Sequence, residues 1–245
     1  MRVTFLGTGS AMPTGDRFQT GQLLETDERA LLLDCGSGVL HRLGRTEVGY
    51  TGIDTVLLTH LHLDHVADLL PLLKARWLAG AGSVSIVGPP GTDALLAGLL
   101  DTHEYLQGKL EFTVREITPG EHTVDGFELE AMETRHSLQC FAYRFHEGEG
   151  YTFSGDTEAF EALIDFADGS AVLTHDCSFP DSVDVSNHPT PSQLGGVLAG
   201  HDIGTVYLSH LYPHTEGEHQ AMLDSIAEHY TGKVTFAADG ESFEV

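Results

Sequence analysis

The sequence predicts an α/β fold, and three observations carry the prediction. Short apolar runs of strand length alternate with longer segments of helical period. One strand pattern occurs twice: Thr55-Val56-Leu57-Leu58-Thr59-His60 is echoed by Thr205-Val206-Tyr207-Leu208-Ser209-His210, which suggests two similar halves, each delivering a histidine from a strand end into a shared cleft. The 245 residues suffice for one sizeable core, and no Pro/Ser-rich linker divides them, so residues 1–245 are expected to form a single domain.

The elements follow in order. Residues 2–6 alternate as a strand, and Gly7-Thr8-Gly9-Ser10 makes a flexible turn behind it. Residues 22–26 and 30–34 read as a hairpin with Asp27-Glu28-Arg29 at its tip, after which Gly36-Ser37-Gly38 opens a short helix to about Leu43. The apolar run 55–58 reads as a buried strand and 66–78 as a helix; then come a strand at 83–87, a Gly88-Pro89-Pro90-Gly91 turn and a helix from Thr92 to about Leu100. Four strand-like runs succeed one another at 111–117, 127–134, 141–145 and 151–154. Helix and strand then alternate: helix 158–167, strand 171–176, helix 192–200, strand 205–209, helix 216–230, strand 233–237.

Composition limits the function classes. No apolar stretch reaches membrane-spanning length, and no basic start precedes an apolar segment, so neither a membrane protein nor a secretory leader is expected. Cys35, Cys140 and Cys177 are odd in number and far apart, which reads as free thiols in a reducing cytoplasm. The net charge is −25, from 37 acidic against 12 basic residues spread over the whole chain. Such a surface either repels polyanions, excluding nucleic acid, or belongs to a salt-rich, halophilic cytoplasm where self-repulsion is screened. The scarcity of lysine (Lys74, Lys109 and Lys233) favours salt, and under that reading charge no longer excludes RNA.

The run Thr59-His60-Leu61-His62-Leu63-Asp64-His65 packs three imidazoles and a carboxylate directly behind the strand at 55–58. In an extended connection residues two apart point the same way, so His60 and His62 can reach one ion. Asp64 and His65 begin the next helix, turned to another side of the loop, and can hold a second. Imidazole with carboxylate suits zinc, and also manganese or ferrous iron. A two-ion site needs more ligands, and later strand ends supply candidates: His136, Asp156 after Ser154-Gly155, and His210 at the end of the echo strand. The glycine at 155 would let the backbone approach a ligand closely. Taken singly, each has an ordinary role as a loop residue, a helix cap or a surface side chain. Asp34, before a glycine turn, is either a strand-end cap or a carboxylate that fixes the tautomer of a ligand histidine.

HxHxDH, then a lone His, an Asp in Ser-Gly-Asp-Thr and a late His is the ligand order of the metallo-β-lactamase fold hydrolases, which this chain resembles over nearly its whole length. Phe5-Leu6-Gly7-Thr8-Gly9-Ser10 and Leu33-Asp34-Cys35-Gly36 are similar to the ribonuclease Z branch of that superfamily. The resemblance implies a four-layer αβ/βα sandwich with its site at one edge, between the halves. It implies two divalent metal ions, one held by His60, His62 and His136, the other by Asp64, His65 and His210, with Asp156 bridging. Two such cations would make a bridging hydroxide available near neutral pH, with Asp64 also accepting a proton. By the same resemblance His188, in His188-Pro189-Thr190, donates a proton to the leaving oxygen, and Asp176, in His175-Asp176-Cys177-Ser178, orients it. A homodimer is expected by family analogy.

The chain also departs from that branch. Ribonuclease Z carries a long flexible arm that grips tRNA; here only His146-Glu147-Gly148-Glu149-Gly150 separates the strand at 141–145 from the Ser-Gly-Asp-Thr run. The loop after the first strand keeps only Pro13 and Arg17 of the usual set, and Ser37 and Leu40 stand near the places of a Glu and a Gln. The expectation is therefore a zinc-dependent phosphodiesterase acting on a small or cyclic phosphodiester, or on RNA bound without the arm. Ester, thioester or lactone hydrolysis at the same centre is the competing reaction, and a non-catalytic metal-binding protein the competing class. If the acidic surface is an adaptation to salt, the unfolding midpoint should rise between dilute buffer and molar potassium chloride, where the screening length falls to about 3 Å. A flat or falling dependence excludes it.

Overall fold

The computed structural model describes residues 1–245. The strands are β1 (Arg2–Gly7), β2 (Gly21–Glu25), β3 (Ala30–Leu33), β4 (Thr55–Leu57), β5 (Val84–Gly88), β6 (Phe112–Glu116), β7 (Gly120–Val124), β8 (Phe127–Glu133), β9 (Phe141–Phe145), β10 (Tyr151–Phe153), β11 (Val172–Asp176), β12 (Thr205–Ser209), β13 (Lys233–Phe236) and β14 (Ser242–Glu244). The helices are α1 (Val39–Leu43), α2 (Leu63–Val66), α3 (Leu69–Ala79), α4 (Thr92–Thr102), α5 (Glu161–Ala167), α6 (Pro191–Leu198) and α7 (His219–Ala227). Single 3₁₀ turns lie at Glu104–Leu106 and Pro213–Thr215.

The strands form two seven-stranded sheets, ordered β14-β1-β2-β3-β4-β5-β6 and β7-β8-β9-β10-β11-β12-β13. Each begins antiparallel and becomes parallel, at β3–β4 in the first and at β10–β11 in the second. The two halves are thus similar, as the echo suggested. The echoed strands are not strict equivalents, however: counted from the antiparallel edges, β4 stands where β11 does, and β12 lies one place further.

Period-two alternation builds the layers. Leu31, Leu33 and Leu57 point into the core between the sheets, where they meet Phe127, Phe141, Tyr143 and Phe153 of the opposite sheet. Their neighbours Leu32 and Val56 point outward, under Leu69, Leu72 and Leu73 of α3 and Leu96 of α4. On the other side Leu173, Val206 and Leu208 are covered by Ile164, Leu194, Leu198 and Ile226. Strands buried on both faces are apolar at successive positions, which is why residues 55–58 stood out as a continuous run.

The differences from the sequence reading have local causes. β7 and β14 were not expected: Gly-Glu-His-Thr-Val and Ser-Phe-Glu have little apolar alternation, and each is held by pairing at a sheet edge. The helix expected at 66–78 begins at Leu63 and restarts at Leu69, since Pro71 has no N–H to give Ala67. Asp68, at the break, accepts the N–H groups of Gly38 and Leu40 at 2.8 and 3.0 Å and so caps α1. The helix expected at 216–230 spans only His219–Ala227; its late start follows from Gly217, which has φ +81°.

Close contacts stitch the sheets together along one edge. Phe141 N–H donates to the Thr59 carbonyl at 3.0 Å, the Tyr143 hydroxyl to the Leu58 carbonyl at 2.7 Å, and Leu211 N–H to the Thr8 carbonyl at 3.0 Å. Gly36 closes this edge. A Cβ there would lie 2.1 Å from the Asp64 carbonyl oxygen and 2.9 Å from the Thr20 nitrogen, both backbone atoms that cannot step aside. Gly36→Ala should therefore lower the urea midpoint by the equivalent of about 3 kcal/mol, as overpacking does. Gly82→Ala, where nothing lies within 4 Å, should change it by less than about 0.5 kcal/mol. Equal effects would show that the closure at residue 36 carries no strain-sensitive contact.

Candidate metal centre

Every sequence-predicted ligand arrives at that edge. His60 and His62 come from the extended segment after β4, Asp64 and His65 from α2, His136 from the loop after β8, Asp156 from the loop after β10, and His210 from the end of β12. His60 Nε2 and His136 Nε2 lie 3.0 and 3.1 Å from His62 Nδ1. Nearby, His210 Nε2 is 3.1 Å and His65 Nε2 3.9 Å from Asp64 Oδ2. Asp156 lies between the groups, its Oδ1 3.3 Å from His65 Nε2 and its Oδ2 3.3, 3.6 and 3.8 Å from the Nε2 atoms of His210, His60 and His136. Two separate sets of donors result, His60/His62/His136/Asp156 and Asp64/His65/His210, and a third, Asp156/His188/His210, overlaps both.

Hydrogen bonds behind the rings settle which nitrogens carry protons. The Thr59 hydroxyl gives its single proton to Asp34 Oδ2 at 2.8 Å, so toward His60 Nδ1, 3.0 Å away, it can only accept. His60 Nδ1 therefore holds the hydrogen and Nε2 offers a lone pair to the cluster. His136 Nδ1 donates to the Asn187 carbonyl at 3.2 Å, and His65 Nδ1 to Asp34 Oδ2 at 2.8 Å. Asp34 is thus more than a strand-end cap. His65 Nε2, fully buried, makes no well-aligned hydrogen bond and faces only Asp156 Oδ1 and Asp64 Oδ2, at 3.3 and 3.9 Å. The lone pairs of His60 and His136 and the carboxylates of Asp64 and Asp156 thus converge on one buried place, and a cation among them would relieve their mutual repulsion. The donor set fits divalent metal ions on this ground.

The electrostatics agree. Burial alone would raise the Asp156 carboxyl, yet His210, His65 and His60 outweigh it and hold it well below the usual carboxylate range. Asp64 is held down in the same way, burial being overcome by the neighbouring His210 and His65. Burial, then the neighbouring His65, pushes His60 well below the ordinary imidazole value, keeping it a neutral ligand. His65 is the exception: burial opposes its charge, but Asp156 and Asp34 draw it well above.

Backbone strain marks the same place. Only Asp34, Asp125, Asn187 and His210 combine a side chain with positive φ, at 59, 51, 67 and 58°, and three of these four belong to the cluster. At Asn187 the left-handed backbone accompanies the carbonyl's bond to His136. Gly155 has a different reason from the one its sequence suggested. With φ +59°, its missing Cβ would meet Cys140 Sγ and the Phe141 carbonyl, each at 2.9 Å, so it admits a neighbouring strand. Asp156 does not cap a helix either, since α5 is preceded by Phe160.

Beside the donors, His188 Nδ1 donates to Asp176 Oδ2 at 2.6 Å. Burial disfavours the imidazolium, but the carboxylate outweighs it and pushes His188 up to about 9. His175 stays outside the cluster, buried and bonded through Nδ1 to the Asp176 carbonyl at 2.7 Å. A cavity of about 360 Å³ opens onto the centre, with His62, Asp64, His136, Asp156 and His188 in its wall beside Ala11, Leu63, Asn187 and Tyr212. Sequence reasoning gave no role to Thr59, Ser178, Asn187 or Tyr212. Thr59 and Asn187 adjoin predicted residues, which is the only signal they carry.

Two facing mixed sheets, outer helices and a His/Asp cluster on their shared edge define a metallo-β-lactamase fold hydrolase. The fold closely matches that of YhfI from Bacillus subtilis, with a TM-score of 0.85 at 24% identity over 99% of this chain and 98% of that one. Ribonuclease Z of Mycobacterium avium is 30% identical across 98% of this chain and 96% of its own, and ribonuclease Z of Haloferax volcanii 26% identical across 100% and 95%. Residues 1–195 match the family model described as Anti-Pycsar protein Apyc1. The chain belongs to this ribonuclease Z-like family of metallo-β-lactamase fold enzymes. The prediction from the donor set is that chelation lowers the melting temperature and that divalent ions restore it. Each ion should contribute about 4 kcal/mol at a concentration a thousandfold above its Kd. An unchanged melting temperature in a protein that binds no ion would refute it.

Proposed function

We propose that this chain is a zinc-dependent phosphodiesterase acting on a small or cyclic phosphodiester. The observation that carries the reading is the His188–Asp176 pair, at 2.6 Å, on the wall of a cavity that also exposes His62, Asp64, His136 and Asp156. In this reading His60, His62 and His136 hold one ion, Asp64, His65 and His210 the second, and Asp156 both. Bound there, the ions would supply Lewis acidity and a water of lowered pKa; the imidazole-rich set favours zinc, with manganese or iron as substitutes.

The chain's own groups do the rest. With Nδ1 committed to Asp176, His188 has only Nε2 free, and it enters the reaction as the cation, able to give that proton to a departing alkoxide. Asp64, also in the cavity wall, takes the proton released by the attacking nucleophile. Protonating a leaving alkoxide matters far more for a phosphodiester than for a thioester, whose thiolate leaves unaided. The short turn at 146–150 joins β9 directly to β10, leaving nothing in the place of a tRNA-gripping arm, and the cavity is of small-molecule size. These features favour a small substrate over RNA.

The reading extends to the chain's setting. Three free, buried cysteines support a reducing cytoplasm, and the −25 charge with its scarcity of lysine supports a salt-rich one. No helix is long and apolar enough to cross a membrane. Residues 1–245 are taken to act as one domain, and exposed Leu63 beside the cavity, together with Leu78 and Trp77 on α3, supports a homodimer.

A panel of aryl phosphodiesters, cyclic mononucleotides, precursor tRNA, aryl acetates and thioesters, with zinc or manganese in molar potassium chloride, tests the proposal. Phosphodiesters should dominate, and His188→Ala should lower kcat on alkyl-leaving substrates by about a hundredfold or more. Thioester turnover without phosphodiester turnover would overturn it, as would failure of all substrates despite two bound ions.

A further inference from the structure

We propose that Ser178 is a positioning residue whose single hydroxyl fixes both the His210 imidazole and the Asp176 carboxylate, so that one side chain sets the readiness of His210 for metal and the aim of His188 at the leaving group. The inference rests on the reading of His188 as the proton donor and of His210 as a ligand. It differs from the other outer contacts in one respect. Thr59 and the Asn187 carbonyl serve rings on the metal side, whereas Ser178 touches both sides.

Ser178 lies just past the end of β11, fully buried. Its Oγ is 2.6 Å from Asp176 Oδ1, 2.9 Å from His210 Nδ1, 2.8 Å from the His210 carbonyl oxygen and 3.4 Å from His188 Nδ1. A serine hydroxyl has one proton to give. The buried carboxylate is the stronger acceptor and the nearer one, so the proton goes to Asp176 Oδ1. Oγ then accepts from His210 Nδ1–H, which leaves the Nε2 lone pair facing Asp64 and Asp156. At the other end, Asp176 Oδ2 accepts from His188 Nδ1 and, at 3.2 Å, from Thr157 N–H.

The result is an unbroken line, His210–Ser178–Asp176–His188, running from the candidate metal ligand to the candidate acid. The two end rings stack on each other, with centroids 5.3 Å apart and planes inclined by 15°. The line is held by backbone as well: Cys177 N–H donates to the Ser209 carbonyl at 3.1 Å, and Tyr212 N–H to the Ser178 carbonyl at 3.3 Å. These bonds hold the turn after β11 against the end of β12, where His210 adopts its positive φ. Without the hydroxyl, His210 Nδ1–H loses its acceptor and Asp176 Oδ1 its donor. Both rings become free to turn, and the His210 tautomer is no longer fixed.

The test uses the full-length chain with Ser178→Ala, Ser178→Gly and Ser178→Thr. Glycine guards against a folding defect particular to alanine, and threonine keeps the hydroxyl. Zinc binding to the metal-free protein, measured by competition with a chromophoric chelator and without substrate, should show the second equivalent weakened about tenfold to a hundredfold in alanine and glycine, and restored in threonine. Turnover of phosphodiesters graded in leaving-group pKa should fall in kcat with KM unchanged, most steeply for the poorest leaving groups, matching the slope of His188→Ala. Weakened zinc binding with an unaltered leaving-group slope overturns the inference, as does the reverse. If His188→Ala itself leaves the slope unaltered, the reading of His188 fails. The zinc titration then still decides whether Ser178 serves His210.

Discussion

Five imidazoles and two carboxylates converge on one place, four of the rings pointed there by bonds made behind them, and the rest of the molecule follows from the need to satisfy that arrangement. Asp34 accepts from Thr59 and His65, the Asn187 carbonyl from His136, and Ser178 from His210. Each bond to a ring fixes a proton on the nitrogen turned away from the centre. A cluster so prepared is unstable when left to itself and favourable around cations, which neutral surroundings cannot replace. The strained backbone at Asp34, Asn187 and His210 is the local cost of this aim. The large core between the sheets offsets it.

The two sheets, meeting along an edge, hold groups from positions 60 to 210 to within a few ångströms. The parallel strands do this by ending together: β4, β11 and β12 each deliver their next residues to the same edge, and the antiparallel hairpin β9–β10 adds Asp156. The donors are therefore fixed mostly by short segments that directly follow strands, and less by long loops. That is why small residues such as Gly36 and Gly155, which touch no substrate, matter to the geometry.

The legible part of this design in the sequence was the part written as local pattern. Continuous apolar runs betrayed the buried strands, and the spacing of His60, His62, Asp64 and His65 betrayed two facing directions. His136, Asp156 and His210 needed the family order, because a lone histidine or aspartate at a strand end has ordinary uses. What stayed hidden depends on distant partners. β7 and β14 exist because neighbours offer unpaired edges. Ser178 matters only because β11 and β12 lie side by side. The break at Asp68 came from Pro71, a signal present in the sequence but outweighed by the apolar run around it.

The spread of the donors along the chain has a consequence for how the enzyme comes into being. His60 is made early, yet its partner across the seam, His210, is followed by only two strands, and β14 must return to pair with β1. Contacts of such sequence separation form late and slowly. A nascent chain emerging from the ribosome would carry the first histidines long before anything could complete the centre. Metal acquired at that stage would meet half a site, and faithful loading falls to the moment after the second sheet closes on the first.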